Sequence, residues 1–200
     1  MNLALFTPEK IVEVFKKKNY VLFEDPYRLN LFGIRNKEYQ SNTFNDLVGM
    51  VYKDYGGLWN THLYIATTDP GKYWLENPMN VAGTAIVVPG QYLNVFTFGL
   101  HKGKYECLVQ CAKIKVYRDN DKDDILDFDI SSIQNGLFAI EMHRASESHT
   151  STLVDKWSAG CQVIASPSDF ADLMEMTKNW HSPMYGTKFN YTLFLEEDFV

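Results

Sequence analysis

The sequence predicts a mainly β fold with a few helices, in a single domain over residues 1–200. Three observations predict it. Aromatic residues make up 14% of the chain, with 12 Tyr and 13 Phe, types that suit pleated sheets. Short β-rich runs recur, punctuated by Pro70-Gly71, Asn77-Pro78 and Pro89-Gly90. Only two stretches combine helical periodicity with a start signal.

The first helix is expected from Thr7 to Lys18, on an N-terminal extension (residues 1–28) packed against the domain. Thr7 can cap it, Pro8 suits the first helical position and Glu9 lies in the first turn. Ile11, Val12, Val14 and Phe15 form an apolar stripe, and Lys16-Lys17-Lys18 suit the negative end of the helix dipole. Strands follow at Leu29 to Arg35, Asp46 to Lys53, His62 to Thr67 and Thr84 to Val88. Tyr105 to Gln110, Lys113 to Tyr117 and Leu137 to His143 continue the pattern, and Gln162 to Ala165 and Tyr191 to Leu195 complete it. Ser168 to Lys178 reads as the second helix, capped by Ser168, with Phe170, Leu173, Met174 and Met176 apolar.

Length and charge bound the function. A chain of 200 residues, 46% hydrophobic and 22% charged, buries its own core. The net charge of −6 argues against non-specific nucleic-acid binding, which needs a basic footprint. No apolar run reaches the roughly 18–20 residues of a membrane span. Met1 to Pro8 has no basic n-region, so no secretory signal is read, and synthesis in the cytoplasm is expected. The three cysteines, Cys107, Cys111 and Cys161, are too few and odd for a disulfide scaffold.

Several features read as structure rather than chemistry. The run Asp119 to Asp124 resembles the start of a calcium loop. An EF-hand needs Gly at the sixth position and Glu at the twelfth, where this chain has Asp124 and Ile130. It therefore reads as a solvated turn, and no metal or cofactor is expected. Cys107 and Cys111 are too far apart along one strand to bridge and read as packing residues. A zinc site from His143, His149 and Cys161 lacks paired ligand spacing. No phosphate-binding glycine loop occurs.

The segment Gly136 to Ala165 differs. An apolar run delivers His143, a Ser/Thr-rich loop follows, and Trp157-Ser158-Ala159-Gly160-Cys161 enters a second apolar run. A Cys–His pair needs a thiol on a tight turn whose N–H groups face a developing oxyanion, with an imidazole alongside. Ala159 and Gly160 allow close approach, and the imidazole is expected to lower the thiol's pKa toward a thiolate. A buried Cys and an unconnected His is the plain alternative.

His143, with Ser158-Ala159-Gly160-Cys161 beginning 15 positions later, resembles the signature of L,D-transpeptidase catalytic domains, the YkuD-like fold. The firm resemblance spans Leu137 to Ala165. Upstream, Gly83 to Tyr92 corresponds to the strand and turn before the family's active-site face, with Gly99 to Gln110 pairing with it. The resemblance implies a β-sandwich or mixed sheet and a cysteine enzyme acting on peptidoglycan stem peptides at an L,D bond, by transpeptidation, carboxypeptidation or endopeptidation. It implies Cys161 as nucleophile and His143 as general base, oriented by the Arg144 carbonyl. Gly160 and Cys161 N–H groups would form the oxyanion hole, and Ser158 would shape the turn. The family's second His is Ala159 here, and its Arg or Asn two after the Cys is Val163. Arg144 is expected to supply the missing positive charge to substrate, with Trp157 as a cleft wall or as packing beneath the turn. Tyr52, Tyr55, Trp59, Tyr73 and Trp74 either line a peptide groove or pack the sheets. Without a signal, such a chain suits a phage-encoded or otherwise delivered protein that reaches the cell wall after release. The runner-up is a catalytically degenerate structural or binding module, for example of a phage particle. A third option, an amidase on other substrates, shares the chemistry.

Overall fold

The computed structural model describes residues 1–39 and 41–200. The first helix, α1 (Pro8–Lys17), forms as its signals direct: the Thr7 side chain accepts the Lys10 N–H at 3.3 Å, and Pro8 opens the helix. Its stripe of Ile11, Val12, Val14 and Phe15 is buried, each side chain gaining about 1.5–3 kcal/mol of apolar transfer.

The strands are β1 (Asn30–Arg35), β2 (Asp46–Lys53), β3 (Trp59–Thr67), β4 (Thr84–Val87), β5 (Gly90–His101) and β6 (Tyr105–Gln110). They continue as β7 (Ile114–Asp119), β8 (Gln134–Gly136), β9 (Glu141–Arg144), β10 (Gln162–Ile164) and β11 (Lys188–Leu195). Eight of them close in the order β1-β11-β5-β6-β9-β10-β3-β2, and β4, β7 and β8 form a separate small sheet. The sheet is mixed, as expected, with parallel pairs β1–β11 and β9–β10. It is a closed barrel rather than an open sandwich, because β1 pairs β2 on one side and β11 on the other, leaving neither edge unpaired.

Alternation explains the layers. Leu31, Val48, Met50, Tyr191 and Leu193 turn toward one core, which also takes Ala85, Val87, Ile114 and Val116 from the small sheet. Phe32, Ile34, Leu47, Val51 and Phe194, on the opposite face of the same strands, pack against α1. The largest fully buried side chain is polar. Arg35 (1% exposed) pairs with Asp69 at 2.8 Å and donates to the Thr68 side chain and carbonyl.

Several boundaries differ from the sequence reading. The second helix, α3 (Pro167–Glu175), is capped by Ser166 rather than Ser168, because Pro167 takes the first helical position. It runs on through a π-helical turn (Met176–His181) into α4 (Ser182–Tyr185). The strand expected from Leu137 begins only at Glu141. Ala139 sits at φ +56°, and the Gln110 side chain takes the Phe138 and Ile140 N–H groups in place of a ladder. Tyr105 to Gln110 pairs with Phe96 to His101 of the long β5, not with Gly83 to Tyr92. The strand β5, the strand β8 and the short helix α2 (Lys72–Glu76) carry no strong sequence signal.

Candidate active site

Parallel pairing of β9 and β10 sets the site. Gln162 lies beside Met142 and Val163 beside His143. Met142 enters the core, so Glu141 and His143 turn to the other face, which Cys161 and Val163 share. Cys161 and His143 are thus diagonal neighbours, with Cα atoms about 8 Å apart from strand spacing and rise.

His143 is 1% exposed, and its Nδ1 lies 2.8 Å from the Arg144 carbonyl. A carbonyl only accepts, so Nδ1 carries the proton and Nε2 keeps the lone pair. Burial holds the imidazole down at about 3, the charges of His101 and Lys102 adding to it and the Arg144 carbonyl opposing it. The imidazole is therefore neutral at pH 7.

The Cys161 thiol is half-buried. It accepts the Glu141 N–H at 3.4 Å, and its Sγ lies 3.9 Å from the Ala139 carbonyl. Burial pushes it up to about 12, the Glu141 carboxylate adding to the shift and the Glu141 N–H opposing it. The thiolate expected from the sequence is therefore not preformed: desolvation disfavours the charged form of both partners. Among the described residues no hydrogen bond joins Cys161 Sγ to His143.

The turn before Cys161 is held from inside. Ser158 is fully buried; its Oγ donates to the Cys161 carbonyl at 2.8 Å and accepts the Gly160 N–H at 3.1 Å. Ser158 shapes the turn as expected, but it takes up the Gly160 N–H that was assigned to the oxyanion hole. Gly160 has φ +117°, and a Cβ there would meet the Ala85 carbonyl oxygen at 2.3 Å. The turn therefore lies directly on β4, and only glycine fits.

Two cavities of about 360 Å³ each flank the pair, lined by neighbouring residues and not by Cys161 or His143 themselves. Ala85, Ala139 and Ala159 line the first, so small side chains leave open space beside the turn. His101, Lys102, Lys104, Arg144, Glu147 and Trp157 line the second. Arg144 stacks over Tyr105 at 4.2 Å and lies 3.7 Å from Glu147. Trp157, 43% exposed, stands on the wall of this cavity rather than beneath the turn. Among the described residues the other aromatics share no groove: Tyr52 is buried with its hydroxyl on His62, Tyr55 packs on Tyr27, Trp59 packs on the α1 side of the barrel, and Tyr73 and Trp74 lie on α2.

Two residues escaped the sequence reading. His101 stacks on His143 with ring centroids 4.2 Å apart, and its Nδ1 pairs with Glu141 Oε2 at 2.5 Å. Glu141 was legible, lying two before His143 on the same strand face. His101 was not, because its strand was not recognised. His101, Glu141 and His143 bring ligand atoms within 4.8 Å of one another, a donor set of zinc type, although His101 and Glu141 are already bonded to each other. Among the described residues, the zinc trio weighed from sequence does not bring its ligand atoms together, and His149 is bonded to Ser146 instead.

No protein-family model, curated protein or solved structure matches the chain. Among the described residues, no helix is long and apolar enough to cross a membrane.

Proposed function

We propose that the chain is a cysteine acyl-transfer enzyme of L,D-transpeptidase type, acting on peptidoglycan stem peptides at an L,D bond. The observation that carries this reading is the His143 Nδ1–Arg144 carbonyl bond, which leaves the Nε2 lone pair available as a base on the strand face shared with Cys161, two residues out of register with it.

The chemistry starts from neutral partners. Cys161 rotates from the Glu141 N–H toward His143, a tightening that resting enzymes often complete only with substrate bound. Nε2 takes the Sγ proton as the sulfur attacks the carbonyl carbon. A C–S bond forms, and the Cys161 N–H stabilises the oxyanion in place of Gly160. The C–N bond breaks, and His143 returns the proton to the departing amine. Water or an amine, giving a proton to His143 Nε2, then attacks the thioester carbon; the C–S bond breaks and the proton returns to Cys161 Sγ, restoring the thiol. Lys102, Lys104 and Arg144, opposed by Glu147, give the second cavity a net positive charge suited to a peptide carboxylate.

Mass spectrometry of peptidoglycan tests the proposal. Loss of terminal D-alanine, or opened or new cross-links, should require Cys161 and vanish with Cys161→Ala. Arg144→Ala should raise KM more than it lowers kcat; unchanged kinetics would remove Arg144 from substrate binding. A second reading is a degenerate binding module. The observations favouring it are the occupied Gly160 N–H and the missing Cys161–His143 hydrogen bond. Peptidoglycan of several chemotypes left unchanged by the wild type would favour that module.

A further inference from the structure

The Asp-rich turn after β7 carries a site that the sequence pattern dismissed. Asp119 ends β7 beside Thr84 of β4, and the chain then loops through Asp121 back to Asp127. One carboxylate oxygen from each of Asp119, Asp121 and Asp127 lies within 4.8 Å of the others. Asp121 and Asp127 are exposed.

Asp119 is the buried member of the cluster. It is 0% exposed. Its Oδ2 accepts the Asp127 N–H at 3.0 Å, but its Oδ1 is buried with no hydrogen-bond partner among the described residues. A buried carboxylate oxygen without a donor is costly, so such atoms are normally paired or coordinated. The nearby cations are engaged elsewhere. Arg118 donates to the Gly83 carbonyl and to Gln134, and Lys72 pairs with Asp124 and Glu76. Lys122, within the turn, is exposed. Burial, together with the charges of Asp127, Asp121 and Asp123, pushes the Asp119 carboxyl up to about 6, while the Asp127 N–H opposes the shift.

We propose that Asp119, Asp121 and Asp127 bind a calcium ion, with Asp119 Oδ1 as its buried ligand. Calcium takes six to eight oxygen ligands in adaptable geometry, so three carboxylates with loop carbonyls and water suffice. Magnesium requires near-ideal octahedral geometry and loses water reluctantly, and zinc favours nitrogen and sulfur. The three residues fall at positions 1, 3 and 9 of a loop that lacks the EF-hand's glycine and its bidentate glutamate. Affinity therefore falls in the weak class, with Kd about 0.1–1 mM. The ion ties the loop to β7 and so to β4, the strand whose Ala85 carbonyl supports Gly160.

The test uses the full chain after chelator treatment, and its readouts do not depend on Cys161. Calorimetric titration with calcium chloride should give one site. Calcium a hundredfold above Kd should raise Tm by about 5–10 °C. Asp121→Asn and Asp127→Asn, at exposed positions that preserve folding, should each weaken binding at least tenfold. Asp119→Asn should abolish binding yet raise the calcium-free Tm, because it neutralises the orphaned carboxylate. The proposal is overturned if neither heat nor a Tm shift appears at 10 mM calcium. It is also overturned if sodium chloride at matched ionic strength or magnesium gives the same shift, or if Asp121→Asn responds like the wild type.

Discussion

Replacing His143 by glutamine tests the electrostatics of the site without needing a substrate. In the folded protein the imidazole is held at about 3, against 6.5 for the free side chain. An unfolded chain protonates His143 as pH falls below 6.5, whereas the native state resists until about 3. Stability from this group is therefore intact above the unfolded value and is lost as pH falls toward 3. From pH 6.5 to 4 the gap is 2.5 units, which at about 1.4 kcal/mol per unit gives an upper bound of about 3.5 kcal/mol, and about 3 kcal/mol once the unfolded chain's partial protonation at pH 7 and the native state's own at pH 4 are subtracted. Glutamine is of similar size, can donate to the Arg144 carbonyl and does not titrate. Urea unfolding followed by tryptophan fluorescence at pH 7 and pH 4 measures both proteins. The wild type should lose about 3 kcal/mol more than His143→Gln over that interval. Buried His181, itself held at about 4, remains in both proteins and largely cancels. Equal losses would mean that His143 is not held neutral by burial.

Gly160→Ala should destabilise by about 3–5 kcal/mol, combining backbone strain with a clash against the Ala85 carbonyl; thermal unfolding within about 1 kcal/mol of wild type would contradict the close approach to β4. Arg35→Met leaves Asp69 buried without its cation and should cost about 3–5 kcal/mol, most of it recovered by adding Asp69→Leu. Urea unfolding of the single and double variants measures both effects. Iodoacetamide at pH 7 should label exposed Cys111 before half-buried Cys161, and Cys107 last, by peptide mass spectrometry. Cys161 reacting first would show a thiolate already present.

Much of the fold was legible because local signals and burial agree. Thr7-Pro8 and the Ile11 to Phe15 stripe give α1 nearly to the residue, and Asp46–Lys53 and Tyr105–Gln110 match to the residue. What was not legible depends on long-range pairing. Barrel closure rests on β11 meeting β1, which no local pattern announces. The strand β5 was hidden by Asn94, at φ +51°, and by a mostly half-buried pattern. At the site, the residues read out of the sequence were His143 and Cys161, from an apolar run, a polar loop and a small-residue turn; the resemblance added the Ser158 and Arg144 carbonyl contacts that the structure contains. The protonation states could not, since they follow from burial. Nor could His101 or the orphaned Asp119 oxygen, because tertiary pairing puts them where they are.

If Cys161 and His143 form a working acyl-transfer centre, Cys161 must carry the acyl group during turnover. Intact-protein mass spectrometry after incubation with a stem tetrapeptide ending in D-alanine tests it most directly. A covalent adduct should appear on Cys161 with the mass of the peptide less D-alanine. The adduct should be absent with Cys161→Ala and form much more slowly with His143→Gln. No adduct on the wild type, with peptides of several stem compositions and with rapid quenching, would contradict the claim.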